Sequence, residues 1–239
     1  ALPTGINLIL AGRYKKMLSY RKKNYALLDY RDRLTIKGSS LISRSLERFA
    51  KNYIQLCINC LLQEDVKGLH GLYVSLSQDI LQHRWDVADF CRTETIRDSM
   101  ETYEVELAEG KRKPSVAHEV SKRSGLRLKQ GDRASYYVTG QHTSVKILEN
   151  CKLAAEWEPN FPDENTAYYI DRLNECSKKF DFFFEPDKFK EVFAAEDLFG
   201  FDPLHIHIQK QKSTPRGEAA PPEDEGGEFG IWLDESGIG

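Results

Sequence analysis

The residues with the clearest chemical potential form a basic run, Arg21-Lys22-Lys23-Asn24-Tyr25-Ala26-Leu27-Leu28, in which three cations and a phenol precede an apolar stretch. From Arg13 to Lys51 there are twelve Lys or Arg against three acids, Asp29, Asp32 and Glu47. The local balance is +9 in a chain of net charge −3. Such a block is either a solvated face or a seat for phosphates, because each cation that displaces counterions from a nucleic-acid backbone adds affinity without reading sequence. Lysine meets phosphate as a mobile point charge and arginine as a rigid fork. Tyr25 can donate its hydroxyl to a phosphate or a base edge while its ring packs, so these contacts would position a duplex without reading it.

Other chemistry finds little support. Paired acids able to hold magnesium beside such a block are missing: Asp29 and Asp32 fall in a turn, and Glu101, Glu104, Glu106 and Glu109 have surface spacing. His205-Ile206-His207 has no neighbouring Cys or third His to complete a zinc site. No GxxxxGKS/T, GxGxxG or GxSxG string occurs, and no nucleophile has an oriented partner. The expectation is a chain with no catalytic residue, no metal site and no cofactor of its own. Its five cysteines are odd in number and widely spaced, which argues against a disulfide framework. Cys57-Ile-Asn-Cys60 lies inside an apolar periodic run and reads as core thiols in a reducing, cytoplasmic compartment. No stretch is long enough to span a bilayer. Residues 1–12 are apolar but short and lack a basic start, so they read as a strand entering the fold and not as a signal peptide.

The elements that must position the basic run are legible from periodicity. Met17–Tyr20 and Tyr25–Leu28 alternate as strands, Asp29–Asp32 supplies turn chemistry and Leu34–Ile36 returns, so residues 17–36 form a β-hairpin. On a regular strand Lys23 and Tyr25 share one face and Lys22 and Asn24 the other. Gly38-Ser39-Ser40 ends the strand. Ser45 caps a helix whose apolar residues recur three or four apart from Leu46 to Leu62, and a second helix runs to about Leu81. Thr93 to about Tyr103 reads as helical, Pro114–Lys122 as a helix, Leu126–Leu128 as a short strand, Lys129–Asp132 as a tight turn and Ala134–Val138 as a strand. Residues 141–160 form a connection. Asn165 or Thr166 caps a further helix, which Phe180–Phe184 closes against a core, and Asp187–Ala195 is a last short helix. Residues 213–228 are rich in Pro, Gly and Glu and read as flexible, with seven acids and no base after Arg216.

Lys22-Lys23-Asn24-Tyr25 resembles the KKxY motif of family B DNA polymerases, found where the palm ends and the thumb begins. The likeness continues through Leu34–Gly38 and Arg44, although Ser43-Arg44-Ser45 keeps one arginine where the family has an arginine pair followed by Asp. Lys113–His118 resembles a thumb helix opening with Pro and small residues. Leu126–Asp132 with the strand Ala134–Val138 resembles the family's basic Pro-Gly turn and following strand, with Gln130 in place of Pro. Ala167-Tyr168-Tyr169-Ile170 resembles a late Tyr-Tyr-Ile segment. The likeness covers roughly residues 3–205 and is nearest the bacterial branch.

The resemblance implies an α+β fold, a palm-edge β-hairpin over residues 1–43 followed by a mainly helical thumb with a small β subdomain over 44–212, then a flexible acidic tail over 213–239. It implies that Lys22, Lys23 and Tyr25 contact primer–template duplex near the growing end, with Lys37 and Arg44 as further backbone contacts. Leu198 and Phe199 resemble the end of a peptide that holds a sliding clamp. The family's metal-binding acids and its nucleotide-binding lysine have no counterpart here, so Mg2+ and phosphoryl transfer belong to a complete polymerase. This chain alone is expected to be inactive and to act with a catalytic polymerase partner in DNA replication or repair, at the nucleoid if bacterial and away from membranes. The alternative is a non-catalytic, polymerase-derived structural or protein-interaction module.

Overall fold

The computed structural model describes residues 12–21, 23–38, 42–43, 45–126, 128–194, 201–209 and 230–233. Three strands open the described chain, β1 (Tyr14–Arg21), β2 (Asn24–Asp29) and β3 (Leu34–Lys37), each antiparallel to the next. Ladder partners place Leu18, Ala26 and Ile36 in one row. The two-residue period of a strand then sends Leu18, Ala26 and Leu28 to one face, where all three are buried. The strands expected over residues 17–36 are therefore present, with β3 where Leu34–Ile36 is expected to return. Asp29 ties the β2–β3 turn: its carboxylate accepts from the backbone N–H of Arg33 (2.9 Å) and of Arg31 (2.8 Å) and from Arg33 Nε (2.7 Å). These donors, that from the Arg33 backbone foremost, hold its carboxyl below the usual range.

Two helices follow, α1 (Arg48–Gln63) and α2 (Val66–Leu81). Phe49, Ala50, Tyr53, Ile54, Cys57, Ile58, Leu61 and Leu62 form the buried stripe of α1 at the spacing expected of it. The N-cap is Glu47, not Ser45. Glu64 in the left-handed region ends α1, and the Asp65 side chain accepts from Gly68 N–H (2.8 Å) to start α2.

A short helix α3 (Val87–Phe90) leads to β4 (Arg92–Thr95), α4 (Met100–Ala108), α5 (Val116–Arg123), β5 (Arg133–Val138) and β6 (Cys151–Leu153). Here the expectations need correction. Thr93–Thr95 is a strand on the edge of the β4-β5-β6 sheet, and the helix begins only after Ser99, whose hydroxyl accepts from Thr102 N–H (3.2 Å). Leu126 and Leu128 lie outside any strand, in a tight bend closed by Leu128 N–H on the Leu126 carbonyl (3.1 Å). The connection expected over 141–160 contains β6 and a 3-10 turn at Ala154–Glu156. Then come α6 (Thr166–Ser177), capped by Asn165, a 3-10 segment Lys178–Phe183, and α7 (Pro186–Val192). Within the stretch expected to be a flexible acidic tail, Gly230–Leu233 forms β7, which pairs with β1 and completes a sheet of order β3-β2-β1-β7.

One buried cluster joins Leu18, Ala26 and Leu28 of the sheet to α1, α2, α6 and Phe180, Phe183 and Phe184. A smaller one, around Ile96, Val120, Ala134, Tyr136 and Leu153, holds α5 on the β4-β5-β6 sheet. Hydrogen bonds between distant residues fasten the large cluster. The Tyr53 and Ser177 hydroxyls lie 2.7 Å apart, the Tyr73 hydroxyl donates to Asn174 Oδ1 (2.5 Å) and His70 Nδ1 donates to the Val192 carbonyl (2.9 Å). The architecture is the mixed α+β one expected. Among the described residues no helix is long and apolar enough to cross a membrane.

Candidate nucleic-acid interface

The ladder pairs Arg21 with Asn24, so β1 and β2 are joined by a two-residue loop, residues 22–23. Such loops require a left-handed backbone, and Lys23 adopts it with φ +65°. That conformation costs a residue with a Cβ roughly 1 kcal/mol, since glycine or asparagine is the usual occupant. Lys23 is therefore a loop residue, exposed at the tip. The expected sharing of one strand face by Lys23 and Tyr25 does not occur, because strand alternation starts only at Asn24. A shift of register between Ser19 and Arg21 adds a bulge just before the loop, which increases the local twist.

The face carrying Tyr25 is shared with Ser19 of β1 and Lys37 of β3, its direct ladder partners. Tyr25 is half-buried and Lys37 is exposed. The next residue, Gly38, has φ +93°, and a Cβ there would lie 2.1 Å from Asn24 Oδ1 and 2.6 Å from the Lys23 carbonyl. Only glycine allows the end of β3 to lie this closely under the loop. The fold thus brings Lys23, Tyr25 and Lys37 to one end of the sheet. Lys22 and Arg44, expected beside them, lie outside the described residues, as do Leu198 and Phe199.

The basic block is less free than its composition suggests. Lys15 pairs with Asp32, Lys16 with Glu64 (3.6 Å), Arg33 with Asp29 (2.7 Å) and Arg48 with Asp89 (3.4 Å). Among the described residues Arg13, Lys23, Arg31 and Lys37 stay exposed and unpaired. Two of these four are the ones gathered at the sheet end.

Two buried carboxylates were not singled out by sequence reasoning. Glu47 is 1% exposed, takes Arg92 Nε at 2.5 Å and faces Arg172 across 3.8 Å, while Arg92 also donates to the Tyr168 hydroxyl (2.8 Å). It locks the entrance of α1 to β4 and α6. Glu164 accepts from His83 Nδ1 (2.7 Å), Trp85 Nε1 (2.9 Å) and Trp157 Nε1 (2.8 Å). Burial alone raises its pKa, but these donors outweigh burial and leave the carboxyl below its ordinary value. Their partners lie far along the chain or carry no periodic signal.

Burial pushes the Cys57 thiol well above its ordinary value and Cys60 up to about 11, so this pair is protonated core filling. Among the described residues no three His, Cys, Asp or Glu converge as metal ligands would. These residues do not fit the magnesium of phosphoryl transfer.

The sequence model described as DNA polymerase family B matches residues 2–179. A DNA polymerase of Methanocaldococcus jannaschii is 28% identical over 176 residues, covering 71% of this chain and 10% of that protein. A DNA polymerase of Thermococcus aggregans is 26% identical over 174 residues, covering 71% of this chain and 9% of that protein. The chain therefore spans about a tenth of the length of these relatives. The family B DNA polymerase structure from the hyperthermophilic archaeon Pyrobaculum calidifontis superposes with a TM-score of 0.58 at 16% identity, covering 74% of this chain and 22% of that one. At that identity the likeness establishes the fold. These relatives are archaeal; the nearness to a bacterial branch rests on the motif series alone.

Proposed function

This chain belongs to DNA polymerase family B, and we propose that within the family it is the palm-edge and thumb portion, gripping primer–template duplex through its backbone. The residues 1–43 would be palm edge and 44–212 thumb. Lys23, Tyr25 and Lys37 make the grip, with Lys22 and Arg44 as further contacts on the strength of the motif. The observation that carries this reading is the convergence of Lys23, Tyr25 and Lys37 at one end of the sheet, held by a left-handed loop over Gly38. A backbone arranged at some local cost to expose an unpaired cation suits a site better than a solvated face. Phosphoryl transfer is left to palm and fingers supplied by a catalytic polymerase partner with its Mg2+. The motif likeness further supports a sliding clamp at Leu198 and Phe199.

A second reading, a protein-interaction module on the same scaffold, draws on the four internally paired cations and on Ser43 and Ser45 standing where the family carries Arg and Asp. Duplex binding decides between them. Fluorescence anisotropy on two unrelated duplexes should give equal affinities that fall steeply with salt, and Lys22→Ala with Lys23→Ala should weaken both duplexes alike. Salt-insensitive binding, or binding unchanged by the double substitution, would overturn the grip.

A further inference from the structure

Of the cations in the basic block that stay unpaired among the described residues, Arg13 and Arg31 lie away from the Lys23 loop. The ladder sets Tyr14, the first residue of β1, opposite Asp29, the last of β2, so Arg13 and Tyr14 lie beside the β2–β3 turn. The length of β2 puts this end of the sheet about 17 Å from the Lys23 end. Asp32 N–H donates to the Asp29 carbonyl (3.1 Å) and closes the turn, which makes Tyr30 and Arg31 its two central residues. Asp32 itself has φ +59°, the left-handed position that completes a three-residue hairpin loop. The Asp29 carboxylate accepts from the backbone N–H of Arg31 and of Arg33, and Lys15 reaches across from β1 to Asp32. The turn is therefore fixed in shape from within and from the neighbouring strand, and a ligand that met it would not have to order it.

The fixed turn presents aromatic rings and guanidinium groups with no free carboxylate. Tyr30 is 63% exposed, and among the described residues neither its ring nor its hydroxyl has a partner. Tyr14, across the ladder from the residue before Tyr30, is 36% exposed, and its ring is held over Gly12, where a Cβ would lie 2.7 Å from the Tyr14 hydroxyl oxygen. Arg13 and Arg31 are exposed and unpaired. The two acids of the turn are already answered, Asp29 by Arg33 (2.7 Å) and Asp32 by Lys15, so the charge left over at this end is positive. Guanidinium groups alone would suit any polyanion; exposed rings beside them add a demand for flat, π-bearing groups. Nucleic acid with unpaired bases meets both demands, with phosphates for the arginines and base faces for the rings, whereas the bases of a duplex are stacked on one another. We propose that the β2–β3 turn, with the start of β1, is a binding site for single-stranded nucleic acid, in which a base stacks on Tyr30 while Arg31 and Arg13 take flanking phosphates. Tyr14 offers its ring to a neighbouring base. The site uses none of the residues of the duplex grip and does not rest on that reading.

The test titrates the full chain into three labelled probes: an oligothymidylate and an oligouridylate of about twelve nucleotides, and a blunt-ended DNA hairpin. Binding of either single strand supports the site, and the tighter of the two names its source as DNA or RNA. Tyr30→Ala should weaken single-strand binding roughly tenfold and leave the blunt hairpin unchanged, while Tyr30→Phe, which keeps the ring, should bind as the unaltered chain does. Arg31→Ala should lower the slope of log affinity against log salt by about 0.7 on the single strands. In Tyr30→Trp the new indole should be quenched when a single strand is added, a direct report of stacking. Both side chains are exposed, so these variants keep the fold, which their unfolding in urea checks. No single-strand binding by the unaltered chain, or single-strand affinity indifferent to Tyr30→Ala, would overturn the proposal. A loss shared equally by the blunt hairpin would overturn it too, since it would mark a surface that takes any polyanion. So would single-strand binding that survives Tyr30→Ala and disappears with Lys22→Ala and Lys23→Ala, which would move the site to the other end of the sheet. The lysine variant also keeps the two readings apart: hairpin binding lost there with single-strand binding intact supports both sites, and single-strand binding by a chain that never holds the hairpin sinks the grip and keeps the turn site.

Discussion

The loop end of the β3-β2-β1-β7 sheet and the helical interior treat charge in opposite ways. At the sheet end Lys23 and Lys37 are exposed and without ion partners among the described residues, on a backbone that Gly38 and a left-handed Lys23 hold in place. In the interior Glu47 and Glu164 are buried, with Glu164 taking three side-chain donors and Glu47 facing two arginines. A charge whose attraction is already spent inside the molecule holds a fold together; one kept solvated and fixed in place is available to a ligand. The contrast teaches that the count of cations in the basic block overstates its reach, because four of them are neutralised locally.

The contrast can be broken most forcefully at Glu47. Glu47→Ala leaves Arg92 and Arg172 facing each other's charge without the acid, and removing one partner of a buried ion pair costs about 3–5 kcal/mol. Urea unfolding should record that loss, while duplex affinity of the folded protein should not change. Glu164→Gln should cost less, about 1–3 kcal/mol, since an amide cannot accept from all three donors. This site also carries a pH signature. With a folded pKa depressed below 4.5, the contribution of Glu164 is complete above that value and is lost as pH falls through the folded value. The stability gap between wild type and Glu164→Gln should therefore narrow in acid. Gly38→Ala is expected to cost roughly 1–3 kcal/mol for the positive φ and the collision with Asn24, and it should also weaken duplex binding by displacing the Lys23 loop. The smallest change in stability, within about 0.5 kcal/mol, belongs to Lys23→Ala and Lys37→Ala. Each of those should nonetheless reduce the slope of log affinity against log salt by about one.

Much of the scaffold was legible because burial imposes periodicity. The stripe from Phe49 to Leu62 repeats every three or four residues, and α1 follows it; Leu18, Ala26 and Leu28 keep the strand period and face the core. What escaped has no such period. The Arg-Thr-Glu-Thr of β4 is mostly exposed and joins its sheet by backbone pairing with β5, which side-chain pattern cannot report. Leu126 and Leu128 alternate like a strand but bend on each other. Lys23 was placed on a strand because its loop lacks the glycine or asparagine that usually marks a left-handed turn. Glu47 meets Arg92 and Arg172 across 45 and more residues, a proximity that only tertiary structure creates.

The long-range polar fastenings of the helical core have a kinetic side. Tyr53 meets Ser177, Tyr73 meets Asn174 and His70 meets the Val192 carbonyl across 124, 101 and 122 residues. The α1–α2 pair can form early from local contacts, but its buried polar groups find their mates only after α6 and α7 have been synthesised. Until then the pair exposes an apolar face and unsatisfied hydroxyls, and closing such long loops is what slows folding. The helical region is therefore an element that settles late on a growing chain, and agents that lengthen that interval should lower its soluble yield before they alter anything in its finished form.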